Sequence, residues 1–476
     1  MSRVRSLFKS TAIYGAGDLF NKVVGFLLIP LYTSYLTPQE YGAYNMLFLY
    51  SALSGIVVLL GTNIAFFRFF VNFDETERKK VLSSTLVFIT ITSAIFLFAT
   101  YILRHPLASL LLGNNNLSHL IVLISFATVA GAYVTILLVV DMAKKNAKAF
   151  IIYNGIKMLT NIVLNIVFVI YLSLGVAGTM YAFLISNLLT SLIIIPRRRS
   201  YLSLEFSREK IGKILSYGLP IVPTLLAIFV FNMSDKLLIK LFLGLEDVGI
   251  YSLGYKLGSL VFLVVNAFQY AWTPFIYEAG TSEKAKDMYS RISRIYLSLG
   301  LLAALVLNLF ASEVFHLFVG KEYLRAEWIV LPISLAFILD GMAMIFQVGI
   351  YLKDRTKYMP LIALSAGITN ILLNIILIPR IGLAGAVLAT IASYFVYMTT
   401  SLVVSNRFLY VKYPWGRFAL YFIGFAVIYA GKFVLQPGGI WSIAWKGALI
   451  LFFIIYIIRL DPPAGMLPTL EKKGII

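Results

Sequence analysis

The sequence has no cysteine and few charged or metal-binding residues, and each shortage excludes a class of function. The absence of cysteine among 476 residues excludes disulfide bonds and thiol chemistry. The three histidines, His105, His119 and His316, lack the spacing of metal ligands, so we expect no metal cofactor. Charged residues make up 13% of the chain, about half the ~25% that is usual in soluble domains. This composition excludes an ordinary soluble enzyme.

Hydrophobic residues account for 60% of the chain and are grouped into runs long enough to span a bilayer. A membrane-spanning helix needs roughly 20 mostly apolar residues. Such runs occur at 10–36, 43–67, 81–104, 117–141, 149–173, 177–196, 214–243, 249–277, 291–312, 328–351, 358–379, 383–405, 416–435 and 441–458. The pattern predicts an all-α polytopic membrane protein with about 14 transmembrane helices. Pro220 and Pro223 predict a kink near the start of the seventh run.

The basic residues are distributed unequally between the two sides of the predicted membrane. The chain has 40 Lys and Arg against 21 Asp and Glu, which in a soluble protein would suggest a nucleic-acid partner. Cytoplasmic loops of membrane proteins, however, are enriched in Lys and Arg. The two tails and alternate loops hold 29 of the 40, and the opposite loops and helix ends hold 6. We therefore predict a multi-pass protein of the cell (inner or cytoplasmic) membrane with both termini in the cytoplasm, and no nucleic-acid partner.

The chain resembles itself at an offset of 207–209 residues. Residues 160–166 (TNIVLNI) recur as 369–375 (TNILLNI), and 36–44 (LTPQEYGAY) recur as 243–251 (LGLEDVGIY). Gly175, Gly178 and Ala182 likewise recur as Gly382, Gly385 and Ala389. Three matches in the same order are a strong signal of internal duplication.

The repeat predicts the organisation of the chain. Each repeat holds six spans, so the two halves have parallel topology and are related by an axis along the membrane normal. We predict an N-lobe over residues 1–200, a C-lobe over 201–410, and two additional helices with a cytoplasmic tail over 411–476. Two six-helix lobes with a cleft between them indicate transport by alternating access, with substrate bound near the midplane.

Candidate site residues are the polar groups inside apolar runs, because a central Lys or Asp costs roughly 2.5–3.5 kcal/mol to insert. For an anionic substrate we single out Lys22, Lys157, Lys236 and Lys256, with Asn21 and Asn161 as neutral partners. Several of these residues also have a purely structural interpretation. Lys22 is four residues from Asp18 and could pair with it; Lys157 could extend to the interface; and Asn161, with Asn165, Asn370 and Asn374, could serve only helix packing.

Three acids are candidates for ion coupling. Asp18, Asp235 and Asp340 lie within apolar runs, where a proton or Na⁺ could bind, and no other cofactor is expected. Asp340 has no basic residue within a helical turn, and a protonated, purely structural carboxyl is the alternative. Arg68, Arg291 and Arg294 lie at cytoplasmic helix ends and could form a basic entrance, although the positive-inside bias accounts for them as well.

The chain resembles the multidrug/oligosaccharidyl-lipid/polysaccharide (MOP) exporter superfamily, and within it is most similar to the prokaryotic polysaccharide transporters, the Wzx-type flippases. The resemblance rests on the basic N-terminal tail, polar residues in the first run, the turn at 36–44, a second run ending in Arg68, two six-span halves and two further C-terminal spans. It implies a MATE- or MurJ-like fold. It also implies a flippase that moves a polyprenyl-(pyro)phosphate-linked oligosaccharide to the outer leaflet for surface polysaccharide assembly. Membrane lipids, a glycan polymerase and glycosyltransferases are the implied partners.

Two other classes of function remain to be weighed. A MATE-like exporter of organic cations, driven by protons or Na⁺, would depend on Asp18 or Asp340 rather than on the lysines, and a MurJ-type lipid II flippase is a third transport hypothesis. A membrane enzyme would need catalytic groups in sizeable outer loops, and these loops are short. No GxxxxGK[ST] phosphate-binding loop occurs, so ATP is not expected to drive the protein. The sequence favours a transporter and not an enzyme.

Overall fold

The computed structural model describes residues 25, 26, 28–199, 206–435 and 439–461, and these residues form helices without any strand. Thirteen helical segments of this described part are long and apolar enough to cross a membrane. They coincide with thirteen of the fourteen predicted runs, and the remaining run, 10–36, lies largely outside the described residues. The predicted all-α polytopic class is confirmed.

The chain divides into two compact units, residues 1–252 and 253–476. The first unit contains the helices α1 (Ile29–Tyr35), α2 (Pro38–Leu59), α3 (Thr62–Asn72), α4 (Glu75–Leu112), α5 (Ser118–Ala143), α6 (Ala147–Asn165), α7 (Gly175–Arg198), α8 (Arg208–Gly218) and α9 (Val222–Phe242). The unit boundary falls within α10 (Leu245–Gly258). Helix α6 continues as a π-helix over Ile166–Tyr171.

The second unit contains the remaining helices. These are α11 (Phe262–Ala279), α12 (Glu283–Leu309), α13 (Ala311–Phe318), α14 (Glu327–Phe346), α15 (Val348–Leu352), α16 (Met359–Ile381), α17 (Leu383–Asn406), α18 (Trp415–Val434) and α19 (Ile440–Leu460). A hydrophobic core of this unit joins α12 and α14 to the C-terminal helices α18 and α19 through residues such as Leu301, Phe346, Tyr421 and Phe453. The two C-terminal helices are thus packed into the core of their unit.

Local signals in the sequence account for where several helices begin and break. Thr37 and Glu40 form a capping box at the start of α2. The predicted run 43–67 is divided in two, because Leu60 and Gly61 adopt positive φ between α2 and α3. The run 214–243, where Pro220 and Pro223 predict a kink, contains a short 3₁₀ segment that includes Pro220.

The repeated motif at 36–44 and 243–251 forms a close helix crossing between α2 and α10. A Cβ on Gly42 would lie 1.8 Å from the carbonyl oxygen of Leu245, and a Cβ on Gly249 would lie 2.0 Å from that of Pro38. The repeat shift of 207 residues converts the first of these contacts into the second. The glycines of the repeated motif therefore allow two duplicated helices to meet backbone to backbone.

Candidate functional site

The predicted site residues of the first run lie outside the described residues. Asp18, Asn21 and Lys22 precede residue 25, where the description begins. Their assignment to a substrate or ion site stays a prediction from the sequence, and the geometry below concerns the other candidates.

The duplicated asparagine motif forms the same polar contact in both repeats. In the first, Asn161 Nδ2 donates to Ser186 Oγ at 3.4 Å, and Asn165 Nδ2 donates to Asn161 Oδ1 at 3.1 Å. In the second, the corresponding distances are 3.4 Å from Asn370 Nδ2 to Ser393 Oγ and 2.9 Å from Asn374 Nδ2 to Asn370 Oδ1. The motif thus connects α6 to α7 and α16 to α17, and the amide of Asn161 takes part in helix packing.

The first repeat departs from this common scheme at its asparagines. Tyr32 on α1 donates a hydrogen bond to Asn165 Oδ1 at 3.0 Å. The corresponding atom, Asn374 Oδ1, is buried and has no hydrogen-bond partner among the described residues. The amide network is therefore extended to α1 in the first repeat only.

A second departure lies in the backbone that follows the motif. The asparagines of the two repeats are 209 residues apart, and Gly178 and Gly385 are 207 apart, so the first repeat has two extra residues between these points. The π-helix over Ile166–Tyr171 lies in this interval, whereas α16 stays α-helical throughout the corresponding stretch. The two extra residues of the first repeat thus coincide with a π-helix, a conformation that is frequent at functional sites.

Lys157 lies on α6, the helix that carries the asparagines of the first repeat. It is half-buried on α6, one turn before Asn161, and makes no hydrogen bond or ion pair with any residue in the described ranges. Its counterpart in the second repeat is Ala366, which is fully buried. The fold therefore does not require a lysine here, and an ammonium group in a membrane-spanning helix favours an anionic partner.

The other two candidate lysines, Lys236 and Lys256, are also half-buried, and both interact with other residues. Beside Lys236, the buried carboxylate of Asp235 accepts hydrogen bonds from the Lys236 backbone nitrogen at 2.7 Å and from the hydroxyl of Tyr251. Asp235 is therefore engaged in joining α9 to α10. The ion-coupling role predicted for Asp235 and the anion-binding role predicted for the two lysines stay predictions.

Asp340 occupies a polar region of the second unit. It is partly exposed on α14 and accepts no hydrogen bond from the described residues. The phenol groups of Tyr296 and Tyr397 are within electrostatic range of its carboxyl group. Gln347 Nε2 donates to the hydroxyl of Tyr397 at 3.2 Å. Hydroxyl groups from α12 and α17 thus lie near a carboxyl that has no hydrogen-bond partner in the described part of the chain. The ion-coupling role of Asp340 stays a prediction.

The three arginines predicted to form an entrance have different surroundings. Arg68 is exposed, and its guanidinium lies 4.3 Å from the ring centroid of Tyr217. Arg291 is partly exposed and has no ion-pair partner in the described part of the chain. Arg294 pairs with Asp461, with 3.1 Å between Nη1 and Oδ1. Arg294 thus anchors the end of α19, while its role at an entrance stays a prediction.

Sequence reasoning missed a buried ion pair in the first unit. The side chain of Asp141 on α5 is fully buried and bonded to Arg198 at the end of α7. The two residues are 57 positions apart, so no helical spacing connects them. Arg198 also stands in a run of three arginines, where nothing in the sequence marks it as the buried one.

The comparisons with known proteins agree with this architecture. A sequence model described as "Polysaccharide biosynthesis protein" matches residues 7–280. Lsg locus putative protein 1 of Haemophilus influenzae is 23% identical over 284 residues, which cover 58% of this chain and 68% of that relative.

Solved structures are similar over most of their length. The lipid II flippase MurJ in an inward closed conformation aligns with a TM-score of 0.72 and 17% identity, covering 96% of this chain and 100% of MurJ. An inward-facing multidrug resistance MATE family transporter of the MOP superfamily aligns with a TM-score of 0.62 and 18% identity, covering 81% of this chain and 94% of the transporter. At these identities the likeness establishes the fold.

Proposed function

The chain belongs to the polysaccharide biosynthesis protein family of the MOP superfamily, and we propose that it translocates a polyprenyl-(pyro)phosphate-linked oligosaccharide across the membrane by alternating access. The family and the fold are those of membrane transporters and not of catalytic enzymes. The proposed direction is from the cytoplasmic to the outer leaflet of the cell membrane, with both termini in the cytoplasm.

The main support for this proposal is the position and environment of Lys157. A polyprenyl diphosphate head group is a multiply charged anion, and moving it through a low-dielectric region requires positive charge along the way. Lys157 supplies such a charge in a spanning helix, has no partner among the described residues, and replaces an alanine of the other repeat. Lys22, Lys236 and Lys256 are proposed to contribute further positive charge, and Arg68 and Arg291 to attract the head group at the cytoplasmic entrance.

Asp340 is the proposed coupling site. Binding of a proton or Na⁺ at this carboxyl would neutralise a charge within the second unit and so change the relative stability of its conformations. The partly exposed carboxyl and the nearby Tyr296 and Tyr397 support this assignment. Glycosyltransferases would supply the lipid-linked oligosaccharide, and a glycan polymerase would use it on the outer side.

The same carboxyl supports a second candidate function, the export of small organic cations. An unpaired acid in a membrane transporter attracts cations, and the fold is shared with a multidrug resistance MATE transporter. A lipid II flippase is a further possibility, because the fold is equally shared with MurJ. Lys157, which has no partner among the described residues, favours an anionic lipid substrate over an organic cation.

Reconstitution into liposomes distinguishes these functions. We expect the protein to move a fluorescent polyprenyl-diphosphate oligosaccharide between leaflets, as measured by accessibility to a membrane-impermeant quencher. An organic cation such as ethidium should not accumulate under a proton or Na⁺ gradient. Asp340→Asn should abolish any stimulation of lipid movement by the gradient while leaving lipid binding intact. Cation accumulation without lipid movement would contradict the flippase proposal, and preferential movement of lipid II would replace the proposed substrate.

A further inference from the structure

A row of aromatic rings extends across the first unit from α2 to α7. The ring centroids of Tyr44 and Phe48 are 4.6 Å apart, and those of Phe48 and Phe183 are 5.3 Å apart. All three side chains are partly exposed. Behind them, the fully buried Tyr41 stacks on Tyr44 with an interplanar angle of 8°, and the ring of the buried Tyr32 lies 4.9 Å from that of Tyr44. We refer to Tyr44, Phe48 and Phe183 as the aromatic row.

The aromatic row is connected to the polar groups of α6 by direct contacts. The hydroxyl of Tyr32 bonds to Asn165, which in turn bonds to Asn161. At the other end, Ser186 lies one turn after Phe183, donates to its carbonyl oxygen at 3.0 Å, and accepts from Asn161. Lys157 is one turn before Asn161 on the same helix face. Partly exposed rings, an amide and an ammonium that has no partner in the described ranges thus belong to one contiguous region.

The packing of the repeat does not require this combination. At the repeat offset, Tyr44 and Phe48 correspond to Tyr251 and Tyr255, but Phe183 corresponds to Thr390. The helices α16 and α17 nevertheless retain the asparagine contact of α6 and α7. The complete row therefore occurs in the same repeat that contains Lys157 and the π-helix.

We propose that the aromatic row binds the sugar ring nearest the phosphate of the lipid-linked substrate, while Lys157 binds the phosphate itself. This inference rests on the proposed function and specifies its substrate-binding surface. A sugar ring presents a face of C–H groups that packs on the negative face of an aromatic ring, and its hydroxyl groups need a few placed polar partners. The row supplies the ring faces, and the partly exposed Asn161 is beside it.

A binding experiment with two lipids separates the two contacts. Bare undecaprenyl diphosphate tests the phosphate contact, and the same lipid carrying one N-acetylglucosamine tests the sugar contact. We expect the purified full-length protein to bind the sugar-bearing lipid more tightly, as measured by native mass spectrometry or by titration in nanodiscs. Phe48→Leu and Phe183→Leu should weaken binding of the sugar-bearing lipid about three- to tenfold and leave the bare lipid unaffected. Lys157→Gln should weaken binding of both lipids.

Two controls keep the result interpretable if a variant is damaged. Phe48→Tyr keeps an aromatic ring and introduces the residue found at this position of the second repeat. This variant should bind the sugar-bearing lipid like the native protein. Phe96→Leu removes a partly buried ring from α4, outside the row, and should change neither affinity. Equal binding of the two lipids by the native protein, or equal losses for both lipids in the row variants, would overturn the inference alone. Failure of the native protein to bind either lipid would overturn the proposed function as well.

Discussion

Two equivalent asparagines, Asn165 and Asn374, differ in the hydrogen bonds that their side chains make in the two repeats. Asn165 and Asn374 occupy equivalent positions, are both buried, and both donate to the preceding asparagine of the motif. Within the described ranges, Asn165 Oδ1 accepts a hydrogen bond from the hydroxyl of Tyr32, whereas Asn374 Oδ1 accepts none. Since a buried acceptor without a partner is unfavourable, Tyr32 should stabilise the first unit.

Removal of the Tyr32 hydroxyl tests this stabilisation. Tyr32→Phe leaves the ring in place and deprives the buried Asn165 of its donor, so we expect a loss of about 1 kcal/mol in stability. The measurement is the midpoint of thermal unfolding in detergent. Tyr171→Phe, which changes an exposed tyrosine, is the matched control and should have no effect. An unchanged midpoint for Tyr32→Phe would show that the hydrogen bond contributes nothing.

The close crossing of α2 and α10 is the feature that depends most directly on glycine. A methyl group on Gly42 would overlap the carbonyl of Leu245, and a backbone carbonyl cannot move aside without displacing its helix. Overpacking of this kind costs typically ~1–3 kcal/mol. Gly55 is on the same helix α2, and a Cβ there would meet no atom within 4 Å.

Substitutions at Gly42 and Gly55 form a matched pair, because both glycines lie on α2 and only Gly42 is in close contact with another helix. Gly42→Ala should lower the thermal unfolding midpoint, whereas Gly55→Ala should leave it unchanged or raise it, because alanine favours a helix by roughly 0.5–1 kcal/mol over glycine. Gly249→Ala should resemble Gly42→Ala, since it would overlap the carbonyl of Pro38. Equal midpoints for the Gly42 and Gly55 variants would contradict the close crossing.

Ion pairs attach the C-terminal helices α18 and α19 to the rest of the second unit. Lys432 Nζ lies 3.4 Å from Glu327 Oε1, and the nearly buried Lys446 pairs with Glu313 on the short helix α13. Burial alone would raise the pKa of the Glu313 carboxyl, but the hydrogen bond and charge of Lys446 outweigh it and hold the pKa below its ordinary value. Because the folded-state pKa is lowered, this contribution to stability is present above about pH 4.5 and is lost as the pH falls further.

Neutralising Glu313 should therefore have a pH-dependent effect. Glu313→Gln leaves Lys446 without its carboxylate, and we expect a loss of about 1–2 kcal/mol at pH 7. At about pH 3.5 the difference from the native protein should shrink, because native Glu313 is itself increasingly protonated. Thermal unfolding at both pH values measures this, with the exposed Glu322→Gln as the control. A difference that stays constant with pH would exclude an electrostatic origin.

For the whole molecule, features that repeat along the chain were predictable from the sequence. The apolar runs predicted thirteen spans that the structure contains. The asparagines of the duplicated TNI-type motif, for which helix packing was the alternative interpretation, make the same interhelical contact in both repeats. These signals are local, because a spanning helix is specified by its own composition and a packing motif by its own spacing.

Features that depend on tertiary contacts were not predictable in this way. The pairing of Asp141 with Arg198 joins residues of different helices, and no periodicity indicates it. The division of the second run at Leu60 and Gly61 lies at a close approach to Gly218, whose carbonyl oxygen would lie 2.4 Å from a Cβ on Gly61. Lys157 could be identified from the sequence as an exception within the repeat, but its lack of a partner among the described residues became visible only in the structure.

The most direct test of the central claim measures lipid translocation by three proteins in identical liposomes. A positive charge at position 157 is proposed to be needed to move an anionic lipid-linked oligosaccharide. We therefore predict that the native protein and Lys157→Arg translocate a fluorescent polyprenyl-diphosphate oligosaccharide at similar initial rates, and that Lys157→Gln is slower by about tenfold or more. Lys240→Gln, which alters a lysine already bonded to the carbonyl oxygen of Ser109, should behave like the native protein. A native rate for Lys157→Gln, or no translocation by the native protein, would contradict the account.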